Sequence, residues 1–466
     1  MKKETLQQGD RRLMMLTTPI PKLVIKMAIP TIIAFLISSI YSLADTLFIA
    51  MLDDTNATAA VSVNATLDQL IMMCGSMLAI GANSYIARLL GEGNEKKASQ
   101  TLSFAFFVAL GIGLLLMIFG TVFMTDMVKL MGAKDAAVQG FAIDYATYVL
   151  LAAPFMASSF VMNQCLRSEG SAMLSMVGMS VGGVLNCILD PIFIFGLNMG
   201  VAGASVATAI SKVVSFAVLI FPYITKRSML RLSVKNISFS WDIIKNVVSV
   251  GSSSMLRNGL AVLSAIMLNN IAGDISTSVQ AAVGVCTKIM MFPFSIVLGF
   301  GTGFQPVAGF SWGAKRYDRV KESYRYAAKM AVMGAAVMAA ILIGLSYPLM
   351  TAFARSDAQA QKIGTICIVL QSITLPVHAW VAIVNMLCNG LGNAKGAVAL
   401  ATSRQGSCFI PFVHLAGYFF RDLGVASIQA VADALSLALA IPISRSMNKK
   451  IDAALQAQLQ EEGEQN

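Results

Sequence analysis

Twelve apolar runs, each long enough to cross a bilayer, leave this chain little choice of fold. A helix needs about 20 apolar residues to span the hydrocarbon core, and runs at 23–49, 58–85, 101–125, 137–163, 172–196, 202–222, 243–271, 278–306, 326–350, 361–388, 396–418 and 424–444 meet that length. In hydrocarbon every backbone N–H and C=O must be satisfied inside its own segment, so such runs become helices. The expected fold class is an all-α membrane protein with twelve transmembrane helices. Only 12% of the residues are charged, half the roughly 25% of a soluble domain. The formal charge of +10 would suggest a nucleic-acid partner in a soluble chain; here its placement matters more, and no nucleic acid is expected.

The basic residues divide unevenly between the two ends of the runs. With the N-terminus inside, the inner segments hold most of the 34, among them Lys96, Lys97, Lys226, Arg227, Lys315, Arg316, Arg319, Lys449 and Lys450. The outer loops hold only Lys129, Lys134, Arg355, Lys362 and Arg421. That skew predicts a multi-pass protein of the cell membrane with both termini cytoplasmic. The first 22 residues are polar and the span after them lacks a small-residue cleavage site, so no cleaved signal peptide is expected. Cysteines 74, 165, 187, 286, 367, 388 and 408 lie in or beside apolar runs without CxxC or CxxH spacing, and read as small buried hydrophobes.

The chain also repeats itself 222 residues further on, without a gap across more than a hundred residues. Ala59-Ala60-Val61 recurs as Ala281-Ala282-Val283, Gly81 and Gly91 as Gly303 and Gly313, and Pro154, Asn163 and Gly170 as Pro376, Asn385 and Gly392. Six helices were duplicated. Because six is even, the halves share one topology and are related by an axis along the membrane normal, with a cleft between them. The expected division is a cytoplasmic N-terminal segment 1–22, an N-lobe 23–222 of helices 1–6, a linker 223–242, a C-lobe 243–445 of helices 7–12, and a polar cytoplasmic tail 446–466. The linker alternates charged and apolar residues. It reads either as an amphipathic segment on the membrane surface or as a solvated connection.

Polar groups inside the runs are expensive and point to function. Asn186 and Asp190 lie four apart on one helical face, and Pro191 lacks the N–H that the carbonyl of Cys187 would otherwise receive. At 1.5 Å per residue, Asp45 stands about 33 Å and Asp190 about 27 Å along outgoing spans. Thr208 and Tyr145 fall in the same outer half on returning spans, and Tyr41 precedes Asp45 by one turn. These groups could share one level in the first lobe. A carboxylate pair with amide, hydroxyl and carbonyl oxygens suits Na⁺, and a close pair could instead share a proton. The plainer reading of Asp45 is a solvated helix-end acid. Asp68, near the midplane with Gln69, lines the central cleft on one reading and is neutralised in packing on the other. Asp433 has no companion motif and reads as packing. Arg257, Lys212 and Lys288 pair with the acids or snorkel. His378 and His414 read as core histidines, and the 29 methionines as lipid-facing filler or an adaptable binding surface.

The segments YSLADTLFI at 41–49, AAVSV at 59–63, NCILDPIFIFG at 186–196, GVAGA at 200–204 and QPVAGFSWGA at 305–314 together resemble the multidrug and toxic compound extrusion family. The likeness runs from about residue 20 to 445. It implies two pseudo-symmetric six-helix lobes around a V-shaped central cleft, and export of organic cations in exchange for Na⁺ or H⁺. By the same resemblance Asp45, Asn186, Asp190 and Thr208 fall on the family's N-lobe cation positions, as a metal site if the ion is Na⁺, with Tyr41 and Tyr145 in the surrounding network. Substrate-cleft candidates are Asp68, Gln69, Gln305, Arg257 and Lys288. Some members carry further acids on spans 7, 8 and 10; this chain has none there.

The function expected is therefore a secondary active antiporter exporting small, amphipathic organic cations, acting as a monomer in lipid, without a cofactor beyond its coupling ion. A lipid-linked oligosaccharide flippase of the related superfamily is the alternative. An enzyme is not expected, because the short loops hold no cluster of His, Cys and Asp.

Overall fold

The computed structural model describes residues 11–52, 55–131, 133, 135–354 and 357–464. Residues 1–10 of the expected N-terminal segment, the outer-loop residues Lys134 and Arg355, and the last two residues of the tail lie outside that set. Six long helices form the first half: α1 (Ile20–Ala50), α2 (Thr55–Glu92), α3 (Glu95–Val122), α4 (Ala136–Ser168), α5 (Ala172–Pro191) and α6 (Gly200–Ile224). The second half holds α7 (Trp241–Ile275), α8 (Thr277–Gly313), α9 (Tyr317–Phe353) and α10 (Ala358–Gly390). There follow α11, residues 394–420, and α12, residues 422–464, which meet at Arg421, where φ of 44° and ψ of −120° break the helix.

Among the described residues ten helical segments are long and apolar enough to span a membrane. One of them runs from Ala394 to Glu461 and is two helices divided at Arg421. The remaining span is α7, which Ser252, Ser253, Ser254, Arg257, Asn258, Asn269 and Asn270 make less apolar than its neighbours. Twelve helices result, as the apolar runs predict. Several overshoot the expected limits, α2 reaching Glu92 and α9 starting at Tyr317. The extra turns are polar extensions beyond the apolar core.

The repeat is visible in the packing. Helix α2 packs on α4, α3 on α4, α4 on α6 and α1 on α5; six helices later α8 packs on α10, α9 on α10, α10 on α12 and α7 on α11. Even single hydrogen bonds recur. Asn163 Nδ2 donates to the carbonyl of Ser175 at 3.0 Å, and Asn385 Nδ2 to that of Ala397 at 2.8 Å. Gly170 and Gly392, at the turns between, have φ of 81° and 75°.

The lobes meet through α1 on α8, α7 on α2, and α2 on α8. Near the face that carries the linker and the end of α12, the meeting is backbone on backbone. A Cβ on Gly91 would stand 2.2 Å from the carbonyl oxygen of Phe310, and one on Gly313 would stand 2.0 Å from that of Arg88. These are the same contact seen from either lobe, since 88 and 91 map onto 310 and 313 under the repeat. Tyr85 donates to Asp242 Oδ2 at 2.6 Å, and Lys97 pairs with the same carboxylate, joining α2 and α3 to the first turn of α7. Lys97, then Tyr85, hold the Asp242 carboxyl below the ordinary carboxylate range.

The linker contains one 3₁₀ turn, Val234–Asn236, and otherwise turns, bends and irregular chain. Ser99 and Ser103, one turn apart on α3, accept from the backbone N–H groups of Arg231 and Ser233 at 3.1 and 3.3 Å. Glu169, buried at the end of α4, accepts from Ser228 Oγ and from the N–H of Met229, both at 2.7 Å. Those hydroxyls and that carboxylate supply partners that a helix would otherwise have made internally.

Candidate functional site

The first lobe gathers its polar groups around α5. Asn186 and Asp190 share a face one turn apart, and both are buried, at 3% and 0% exposure. Asn186 Nδ2 donates to Asp190 Oδ1 at 3.1 Å and to Thr208 Oγ1 of α6 at 3.2 Å. Pro191 interrupts the α-helical ladder, and Ile192–Gly196 continue as a π-helical turn, an irregularity often found at functional sites. Asp190 Oδ2, Asn186 Oδ1, Asp45 Oδ1 and Asp68 Oδ1 are buried with no hydrogen-bond donor. Unsatisfied buried oxygens destabilise a fold by about 1–3 kcal/mol each.

Lys212 balances part of this charge. It lies one turn beyond Thr208 on α6, donates from Nζ to Tyr41 OH at 2.9 Å, and sits 4.8 Å over the same ring. Its charge acts on Asp68 and Asp45, and Asp45 in turn interacts with Asp190. Tyr145, 3% exposed, stands within the field of all three carboxylates and of Tyr41. The lobe thus opposes one ammonium to three carboxyl groups. Beside them a cavity of about 90 Å³ is lined by Tyr41, Lys212, Met72, Met156 and Asn163 among others.

The six expected coupling residues therefore converge, though unequally. Asn186, Asp190 and Thr208 are hydrogen-bonded; Tyr41 joins through Lys212; Asp45 and Tyr145 are linked by charge and burial. Among the described residues no three His, Cys, Asp or Glu side chains form a metal-binding group. A sodium ion here would rely on Asn, Thr and carbonyl oxygens for most of its ligands.

The expected cleft residues scatter. Asp68 belongs to the first lobe's charge cluster, while its neighbour Gln69 is exposed. Gln305 is 1% exposed in the α8–α10 packing, with neither amide atom partnered. Arg257 and Lys288 line separate cavities inside the second lobe. Asp433 is buried there, accepting from Arg404 Nε at 2.6 Å and from Thr374 Oγ1 at 3.3 Å, with His378 Nδ1 at 3.8 Å. His414 and Asp144 are exposed.

Lys212, which the sequence leaves between pairing with the acids and snorkelling, and Arg404 are not among the expected coupling residues. The spacing of Lys212 from Thr208, four residues, places both on one face of α6 and was available as a signal. Arg404 lies eight residues into the expected eleventh span, where no companion motif marks it.

A family model described as MatE matches residues 30–192 and 254–415, one match in each lobe. The chain is 27% identical over 409 residues to the multidrug export protein MepA of Staphylococcus saprophyticus, covering 88% of this chain and 90% of that one. It is 24% identical over 421 residues to MepA of Staphylococcus aureus, with 90% and 92% covered. Among solved structures it resembles an outward-facing multidrug resistance MATE family transporter of the MOP superfamily, with a TM-score of 0.88, 24% identity, and 95% and 98% of the two chains covered. A MOP superfamily transporter from Pyrococcus furiosus, described by the reverse polarity of its binding pocket, superposes with a TM-score of 0.87 at 23% identity, covering 95% and 98%.

Proposed function

The chain belongs to the MatE family of membrane transporters, and from that premise we propose that it is a multidrug efflux antiporter that exports small organic cations in exchange for H⁺ or Na⁺ bound at Asp45, Asn186, Asp190 and Thr208. The observation that carries the reading is the set of buried, donorless oxygens on Asp45, Asn186 and Asp190. Such a set has a deficit that a proton or a metal cation fills.

The linker face is taken as cytoplasmic from the skew of Lys and Arg, with the chain a monomer in the cell membrane. An ion biases two conformations only if it binds them unequally. A carboxylate cluster that is wet in one state and dry in the other does this, because burial disfavours its charged form. Ion entry at Asp190 neutralises the dry state. Helices α1, α5 and α6, which carry Asp45, Asp190 and Thr208, then repack and bias the lobes towards one opening. Tyr41 and Lys212 transmit the change to the adjoining cavity, since both line it.

The test is transport by purified protein in liposomes loaded with a cationic dye, with a Na⁺ gradient and a pH gradient imposed separately. The reading expects dye movement under at least one gradient. Movement under neither refutes antiport and returns the flippase reading.

A further inference from the structure

The cavity beside the first lobe's ion site has a counterpart. Shifted by 222 residues, Met72, Met156, Asn163, Gly182 and Gly183 become Phe294, His378, Asn385, Arg404 and Gln405, and all ten line the cavity of their own lobe. The second cavity is the larger, about 240 Å³ against 90 Å³. Its polarity is reversed. Where the first lobe opposes three carboxylates to Lys212, the second lines its cavity with Arg257 and Arg404 against Asp433 alone.

The two guanidinium groups are not fully used. Arg404 gives Nε to Asp433, but its Nη2 is buried without a partner. Arg257 makes a 3.5 Å contact to Ser254 Oγ, and among the described residues no carboxylate oxygen lies within 4.0 Å of it. An uncompensated guanidinium inside a membrane protein is expensive and marks a ligand path. Its planar fork fits a carboxylate with two parallel hydrogen bonds. Below it lies an aromatic floor: the Arg404 guanidinium sits 4.2 Å over the Phe294 ring, whose centroid is 5.2 Å from that of His378. A neighbouring cavity of about 520 Å³ shares Phe294, Leu298, Arg404 and Gln405 and adds Lys288.

We propose that the second-lobe cavity binds the carboxylate of an amphipathic organic acid or zwitterion, held by Arg257 and Arg404, with its apolar body lying over Phe294 towards the larger neighbouring cavity. Asp433 fixes Arg404 and sets the site's polarity. The duplicated lobes then divide their work: one takes the coupling cation, the other an anionic group of cargo.

The test measures binding of 2-naphthoate and its neutral amide, 2-naphthamide, to the purified full-length protein by titration calorimetry. Naphthoate should bind about tenfold or more tighter than naphthamide, the equivalent of one charged hydrogen bond, and Arg257→Gln should remove that difference. Because Arg257 has no carboxylate partner among the described residues, its replacement strands no buried charge, and elution as a single species with an unchanged melting temperature verifies that the variant folds. Arg404→Gln strands Asp433, so it is paired with Asp433→Asn; that double variant should also lose the preference. Equal binding of the two probes, or a preference that survives Arg257→Gln, overturns the proposal. So does displacement of naphthoate by a short-chain phosphatidylglycerol but not by benzoate, which assigns the site to a lipid headgroup.

Discussion

Replacing Gly313 by alanine puts a methyl group 2.0 Å from the carbonyl oxygen of Arg88, where ordinary contact begins at 3.4 Å. The obstacle is helix backbone, so α2 and α8 must part where the lobes meet. Overpacking of this kind destabilises by about 1–3 kcal/mol, but only in the state that closes the linker face. The helix-propensity gain of alanine over glycine, about 1 kcal/mol, is common to both states and cancels. The population ratio should therefore move about 5- to 150-fold away from the closed seam. Gly91→Ala meets Phe310 at 2.2 Å and should behave alike. The double variant should be less than additive, because once the helices part both methyl groups fit. Spin labels at Lys96 and Glu322, both exposed near that face, report the separation by pulsed electron resonance. The prediction is a longer or broader distance distribution in either variant. Gly111→Ala, with nothing within 4 Å, is the control. A Gly313→Ala distribution identical to the control's refutes the idea that these glycines permit closure.

Other perturbations follow from single residues. Glu169→Ala removes the buried acceptor of Ser228 Oγ and the Met229 N–H; it should destabilise the protein by about 2–3 kcal/mol, read as a lower melting temperature in detergent, with the linker opened to proteolysis first. Lys212→Gln removes the ammonium whose charge acts on Asp68 and Asp45 and that donates to Tyr41, and should lower the melting temperature in detergent; Lys212→Gln with Asp68→Asn should recover part of that loss, and failure to recover argues against the interaction.

Much of this was legible in the chain because membrane helices advertise themselves by length and apolarity. Duplication then repeats the same glycines, prolines and asparagines at one offset. The polar cluster of the first lobe was legible where it lay on one helix: Asn186 and Asp190 are four apart. It was less so across helices, because nothing in the spacing of α6 tells that Lys212 turns towards Tyr41 rather than towards lipid. Asp68 read equally well as a cleft or a packing residue; only the approach of α2 to α1 and α6 places its charge beside Asp45 and Lys212. Arg404 shows the same limit from the other side. In sequence it is a lone basic residue within the eleventh span, and only the fold sets it over Phe294 and beside Asp433. The linker's contacts with Ser99, Ser103 and Glu169, far away in sequence, were likewise not legible in its alternation of charged and apolar residues.

The account rests on Asp190 as an ion-binding carboxylate. The direct measurement compares unsubstituted and Asp190→Asn protein in liposomes, at matched protein content and with folding verified by elution as a single species, following cationic-dye movement after a Na⁺ or pH jump. The asparagine keeps the volume and can still receive the hydrogen bond from Asn186, but it cannot take up a proton or offer a charge. Gradient-driven transport should be abolished in Asp190→Asn while dye binding persists; transport at the unsubstituted rate would contradict the account.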